Sequence, residues 1–191
     1  MHKWFFGALA FPVCLLLAFP AQGLGEAEHP KMRPARRLSP TEFPKLPARV
    51  VAELVRQGCT IPQASNGGEF SFDNVISGSF ARRGQKDFAV LCSRDGRTHI
   101  HVVWGGAARC ESELESHPDA LAGGIVEPRG FDYPRAITSA SQTRIASYRA
   151  GFGGPKPPDR SHAGIEDMTL EKASTIHYCA RGKWFALQGM D

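Results

Sequence analysis

Short apolar segments along the chain predict β-strands joined by tight turns. Residues 87–93 contain an almost unbroken apolar run, typical of a strand that is buried on both faces. Asp95-Gly96 follows, a strong signal for a two-residue hairpin turn, and residues 98–104 form the returning strand. Residues 75–80 precede this hairpin as a further predicted strand.

A second hairpin is predicted near the end of the chain, with strands 173–178 and 183–188 joined across Arg181-Gly182. Residues 135–139 suit a strand, residues 143–150 a short helix or a strand, and residues 111–121 a short helix or a loop.

A helix is predicted before the strands. Val50, Val51, Leu54 and Val55 recur at helical spacing, with Pro47 in the first turn and Gly58 at the end. The patterns together predict an α+β fold, in which this N-terminal helix packs on an antiparallel sheet built mainly from two β-hairpins.

The first residues have the pattern of a secretory signal peptide. Residues 4–19 carry no charge, and Ala21-Gln22-Gly23 places small residues at a cleavage site near Gly23. The apolar run is shorter than the ~20 residues that a spanning helix needs, although an uncleaved anchor is the alternative. We therefore expect a signal peptide at 1–23, no membrane span after cleavage, and a secreted or periplasmic protein.

Residues 24–46 are rich in proline and charged residues, which predicts a flexible arm before a single α+β domain at 47–191. The arm is interpreted either as a solvated spacer or as a basic segment that touches an anionic surface. The net charge of the whole chain is only +4. This mild charge argues against a nucleic-acid partner.

Four cysteines remain after the leader: Cys59, Cys92, Cys110 and Cys179. An even number in an oxidising compartment favours two disulfides, for which three pairings exist. We favour Cys59–Cys92 with Cys110–Cys179. A zinc site is the rival interpretation, but the chain has no C-x-x-C pair.

Residues 74–104 carry a family resemblance. Gly78-Ser79-Phe80, then Gly84, then Asp87-Phe88-Ala89-Val90-Leu91 resembles the FG-GAP or VCBS repeat, in a degenerate form. The turn at 81–86 lacks the oxygen ligands that the calcium-binding form of the repeat provides, so we expect Asp87 to accept hydrogen bonds from backbone N–H groups instead.

The Gly-x-x-Asp pattern recurs 80 residues later at Gly164 and Asp167. All four residues, Gly84 and Asp87 included, are expected in structural turns, and either a duplicated half or chance explains the recurrence. The chain as a whole also resembles a group of small exported bacterial proteins with no assigned activity.

Candidate chemistry centres on His99 and His101, whose side chains share one face of a predicted strand, as a zinc or copper site could use. His177 or His162 is the candidate third ligand. The alternative is that both histidines lie on the solvent-facing side of the hairpin.

No assembled catalytic set or cofactor motif is found in the sequence. The favoured hypothesis is a non-catalytic exported binding or structural module for an unknown envelope or extracellular ligand. A metal-assisted hydrolase that uses His99 and His101 is the alternative.

Overall fold

A computed structural model of the chain describes residues 35–65, 71–119, 132–158 and 161–190. The predicted signal peptide and residues 24–34 of the predicted arm lie outside these ranges.

Residues 35–46, also assigned to the arm, have defined structure. Strand β1 (Arg37–Leu38) pairs with β2 (Ile61–Pro62), and a short 3-10 helix (Pro40–Glu42) is capped by Ser39. Pro40 and Leu46 are buried, so this part of the chain belongs to the domain.

Two four-stranded antiparallel sheets make up most of the protein. The first has the order β5 (Val75–Gly78), β6 (Asp87–Arg94), β7 (Arg97–Val103) and β8 (Glu113–Pro118). The second has the order β9 (Arg135–Ala140), β10 (Gly164–Thr169), β11 (Ala173–Ala180) and β12 (Lys183–Gln188). Helix α1 (Ala48–Arg56) precedes the first sheet, α2 (Gln142–Phe152) connects β9 to β10, and β3 (Ala64–Ser65) pairs with β4 (Ser71–Phe72).

This architecture fits the predicted α+β class but differs from the predicted single sheet. The two predicted hairpins, β6–β7 and β11–β12, lie in different sheets. Residues 113–118, expected in a helix or a loop, form edge strand β8, and residues 164–169 form a strand that was not predicted. An edge strand has few buried positions, so β8 lacks the apolar alternation that makes a strand visible in a sequence.

The core of the protein lies between the two sheets. Ala89 and Leu91 of β6 pack there against Ile137 of β9 and Ile165 of β10. The other face of β6 packs against α1, where Val90 contacts the buried side of the helix. Burial on both faces accounts for the unbroken apolar run at this strand.

The outer face of the second sheet is covered by α2. Ile145 of this helix packs against Ile176 and Tyr178 of β11 and Leu187 of β12. The elements therefore form four layers, in the order α1, first sheet, second sheet and α2. No described helix is long and apolar enough to cross a bilayer.

Both disulfides join elements that are distant in the chain. Cys59 after α1 is bonded to Cys92 in β6, and Cys110 after β7 is bonded to Cys179 in β11. This is the pairing that the sequence analysis favoured. The second disulfide therefore links the segment between β7 and β8 of the first sheet to β11 of the second sheet.

The two Gly-x-x-Asp segments have different structures. Gly84 has a φ of +80° in the loop before β6, and Asp87 begins that strand, where it accepts hydrogen bonds of 2.9 Å from the backbone N–H groups of Phe80 and Gly105. Gly164 and Asp167 lie inside β10, not in a turn as expected. A side chain at Gly164 would come within 2.6 Å of Ile176, so close packing of neighbouring strands explains this glycine.

Candidate functional site: a polar cleft between the sheets

The space between the sheets is apolar along most of its length and polar at one end. A cavity of about 310 Å³ opens at the polar end. Its walls come from β7 to β11 and the segment before β9, and include Thr98, Glu115, His117, Pro118, Tyr133, Pro134, Arg135, Asp167, Thr169, Thr175 and His177. Cavities of this size accommodate small organic molecules.

A β-bulge in β8 brings two ionisable side chains to this cleft. Thr98 lies opposite His117, whereas Ile100 lies opposite Leu114, so β8 has one more residue than β7 between these pairs. Strict alternation from Leu114, which faces the core, would turn His117 away from the cleft. The extra residue restores it to the cleft side, and bulges often orient side chains in this way beside functional sites.

Glu115 is the bulged residue and has a φ of +52°. A non-glycine residue rarely adopts this conformation. The carboxylate of Glu115 lies between two imidazoles, with Oε2 3.6 Å from His117 Nε2 and Oε1 4.0 Å from His177 Nε2. Within the described ranges, these two histidines are the only basic side chains within 4.0 Å of the Glu115 carboxylate.

His177 projects into the cleft from β11 and is 3% exposed. Burial lowers the pKa of its imidazole, and Arg135 acts in the same direction, whereas Asp167 and Glu115 oppose the shift. The ring is therefore neutral at physiological pH. Its Nε2 atom is buried without a hydrogen-bond partner, although buried polar groups almost always have one.

Arg135 forms the floor of the cleft and is tied to both sheets. Its guanidinium donates two hydrogen bonds to Asp167, of 2.8 and 2.7 Å. It also donates to the backbone carbonyls of Thr98 (3.1 Å) and Glu115 (2.8 Å). Because Arg135 neutralises Asp167 and holds the bulge, it is a structural cation rather than a free charge in the cavity.

Tyr133 supplies an aromatic wall. Its burial raises the pKa of the phenol above the usual range, while a hydrogen bond with Thr98 opposes this shift. Pro118 and Pro134 add apolar surface. The cleft therefore combines one carboxylate that lacks a permanent cation, two imidazoles and an apolar wall.

The histidines singled out by the sequence lie elsewhere. His99 and His101 do share one face of β7, but it is the outer face of the first sheet, next to α1 and not in the cleft. The interpretation that they face solvent is wrong, since they are 4% and 3% exposed. The structure brings Glu113 to them, 3.8 Å from His99 and 3.7 Å from His101.

Neither of the suggested third ligands accompanies His99 and His101. His177 lines the cleft on the inner side of the second sheet. His162 stacks on Tyr178 with 4.2 Å between the ring centroids, in the layer next to α2. The position of α1 over the first sheet decides which groups surround His99 and His101, together with the β7–β8 pairing, which no local pattern of the sequence shows.

Sequence reasoning missed Glu115, His117 and Arg135 as site residues. The segment that contains Glu115 and His117 was not recognised as a strand, and a bulge has no signature in a polar segment. The one available signal was Arg135, a charged residue at the start of a predicted strand. A buried arginine is rare without a charged partner, so burial of this strand would imply a carboxylate nearby.

Comparison of the chain with protein-family models, with curated proteins and with solved structures finds no match in any of the three.

Proposed function

We propose that this protein is an exported, non-catalytic binding module that holds a small organic cation in the cleft between its sheets. The observation that carries the proposal is the Glu115 carboxylate, which a strained bulge directs into a cavity of about 310 Å³. Strain of this kind persists where the surrounding structure enforces it, often at ligand sites.

The charges in the cleft favour a cationic group. Arg135 and Asp167 neutralise each other through two hydrogen bonds, and burial keeps His177 neutral. Glu115 is left as the carboxylate of the cleft that has no arginine or lysine partner among the described residues. An ammonium or guanidinium group would form charge-assisted hydrogen bonds with it, which are stronger than bonds between neutral groups.

The walls of the cleft favour an organic ligand over a metal ion. Glu115, His117 and Asp167 place ligand atoms within 4.8 Å of one another, as a metal site could. Both oxygens of Asp167, however, already accept hydrogen bonds from Arg135. Tyr133 and the two prolines line the cavity and suit a short apolar body.

Two features support the proposed location and the absence of catalysis. The two disulfides fit an oxidising compartment. They also pair all four cysteines of the described chain, so no thiolate nucleophile is available there.

A matched set of probes tests the charge preference. Butylammonium and butylguanidinium carry the expected cation, whereas butanol and butyrate have similar size with no charge or the opposite charge. We expect the two cations to shift the NMR signals of the His117 and His177 imidazoles at about millimolar concentrations. Butanol and butyrate should leave these signals unchanged.

Glu115→Gln keeps the shape of the side chain and removes its charge, so it should weaken cation binding at least tenfold. Glu111→Gln is the matched control, because Glu111 is an exposed carboxylate outside the cavity lining. Equal shifts with butanol, or cation binding that survives Glu115→Gln, would overturn the proposal.

A further inference from the structure

The outer face of the first sheet carries a second cluster of ionisable groups, independent of the cleft. We propose that His99, His101 and Glu113 bind a divalent transition-metal ion, of which zinc and copper(II) fit best. The proposal does not depend on the cation site between the sheets, because its residues lie on the opposite face of the sheet.

Neighbouring strands bring the three side chains together. His99 and His101 are two residues apart on β7, and Glu113 of β8 lies directly opposite His101. Glu113 Oε1 is 3.8 Å from His99 Nε2 and 3.7 Å from His101 Nδ1, and the three ligand atoms lie within 4.8 Å of one another. Around tetrahedral zinc, with bonds of about 2.0–2.2 Å, ligand atoms are roughly 3.3–3.5 Å apart. Small side-chain rotations would close the difference.

Two nitrogens in this cluster lack a partner. His99 Nε2 and His101 Nδ1 are buried and form no hydrogen bond, and both are directed at the same carboxylate oxygen. Buried polar atoms seldom remain unsatisfied, so two ring nitrogens that converge on one point favour the binding of a cation there. A metal ion between them would satisfy both.

The surroundings suit neutral imidazole ligands. Both rings are buried in the layer between β7 and α1, and a metal is bound through the lone pair of a neutral imidazole. On the far side of His101, Nε2 is 3.8 Å from Glu53 Oε1 of α1. Hydrogen bonds from Arg56 and Gln57 lower the pKa of Glu53, so it is a carboxylate. A carboxylate that accepts a hydrogen bond from the second ring nitrogen is the common support of a metal-binding histidine. Glu53 is close enough to take this role after a small movement, and the lone pair of His101 would then be on Nδ1.

The ligand set selects the class of metal. Two imidazoles and one carboxylate are typical of zinc, copper and similar ions, whereas calcium and magnesium prefer oxygen ligands. The side chain of Glu113 is 43% exposed, so water can reach the site as a further ligand.

Arg94 competes with a metal at this site. Its guanidinium donates a 2.8 Å hydrogen bond to Glu113 Oε1, the oxygen on which the two histidines converge. It also donates a 2.6 Å bond to Gln57, which would hold Arg94 in place after it leaves Glu113. Removal of this positive charge should therefore strengthen metal binding, an effect that a purely structural ion pair would not produce.

Metal binding is measured on the full disulfide-bonded protein without a histidine tag. Zinc affinity is obtained by competition with a chromophoric chelator, and the copper(II) complex is examined by electron paramagnetic resonance for hyperfine coupling to imidazole nitrogen. We expect one zinc ion per chain and coupling to two nitrogens.

Three matched variants locate the site. Glu113→Gln should weaken zinc binding at least tenfold, and Arg94→Gln should strengthen it several-fold. Glu115→Gln, on the same strand but in the cleft, should leave zinc affinity unchanged. All three positions are at least partly exposed, so these variants avoid the folding risk of replacing the buried histidines.

The proposal is overturned if the wild-type chain binds no zinc, if Arg94→Gln fails to strengthen binding, or if Glu115→Gln abolishes it while Glu113→Gln does not. The last outcome would place the metal in the cleft and would also contradict the organic-cation proposal. Failure of the butylammonium experiment alone would leave the metal site unaffected.

Discussion

At the scale of single residues, Glu115 shows a conflict between stability and binding. Its left-handed backbone, with φ at +52°, suits glycine better than glutamate. A non-glycine residue in this conformation costs about 1 kcal/mol or more. The carbonyl of Glu115 accepts a hydrogen bond from Arg135, so the surrounding structure holds the strained conformation in place.

Replacement of Glu115 by glycine should therefore stabilise the fold and remove the proposed ligand contact. We expect the free energy of unfolding of Glu115→Gly to exceed that of Glu115→Gln by about 0.5–1 kcal/mol, because glycine relieves the strain but adds entropy to the unfolded chain. Urea unfolding of both variants measures the difference. A glycine variant less stable than the glutamine variant would show that the bulge is not strained.

At the scale of elements, covalent links fix distant segments to the sheets. The Cys59–Cys92 bond anchors the end of α1 to β6, across a separation of 33 residues. The Cys110–Cys179 bond spans 69 residues and reaches from the segment between β7 and β8 to the second sheet. A disulfide that closes a longer loop removes more entropy from the unfolded chain. The Cys110–Cys179 bond should therefore contribute more to the free energy of unfolding than the Cys59–Cys92 bond.

Replacement of each cysteine pair by alanine tests this difference. Loss of the Cys59–Cys92 bond should lower the free energy of unfolding by roughly 3–4 kcal/mol, and loss of the Cys110–Cys179 bond by about 0.7 kcal/mol more. Urea unfolding of the two double variants gives both values. If loss of the shorter link clearly costs more, native contacts around α1 outweigh chain entropy.

At the scale of the whole molecule, burial of histidines links stability to pH. His177 lies between the sheets, where Asp167, Glu115 and Arg135 face it, and its pKa is lowered chiefly by burial. As pH falls below the ordinary histidine pKa of about 6.5, the unfolded chain takes up a proton before the folded protein does. The contribution of the neutral His177 ring to the free energy of unfolding is therefore complete above about pH 6.5. It is lost as the pH falls toward the lower pKa that His177 has in the folded state.

His177→Gln should make the pH dependence of stability shallower. We expect the free energy of unfolding of the wild-type protein to fall between pH 7 and pH 5, and to fall less in the variant. The largest change in slope that one proton allows is about 1.4 kcal/mol per pH unit. Urea unfolding at several pH values, with a chelator to exclude metals, provides the measurement. Identical slopes would mean that His177 is protonated to the same extent in both states.

Much of the local structure was accessible from the sequence. The apolar run ending at Cys92 and the Asp95-Gly96 turn predicted β6, β7 and their hairpin, and the structure confirms them. The second hairpin and the alternation that places His99 and His101 on one face of β7 are confirmed as well. Of the three possible disulfide pairings, the one that we favoured is the one in the structure. Edge strand β8 was missed, because its side chains are mostly exposed and carry no buried pattern.

The amino-acid sequence by itself determined the two hairpins, their turns and the direction of their side chains, since these depend on neighbours a few residues away, but it did not reveal β10, although most of that strand is buried. The tertiary structure decided which groups meet. It buried His99 and His101 beside Glu113 and separated them from His177, which it placed near Glu115. Contacts between strands, a one-residue bulge and the packing of two sheets depend on segments far apart in the chain, and the periodicity of a single segment carries no record of them.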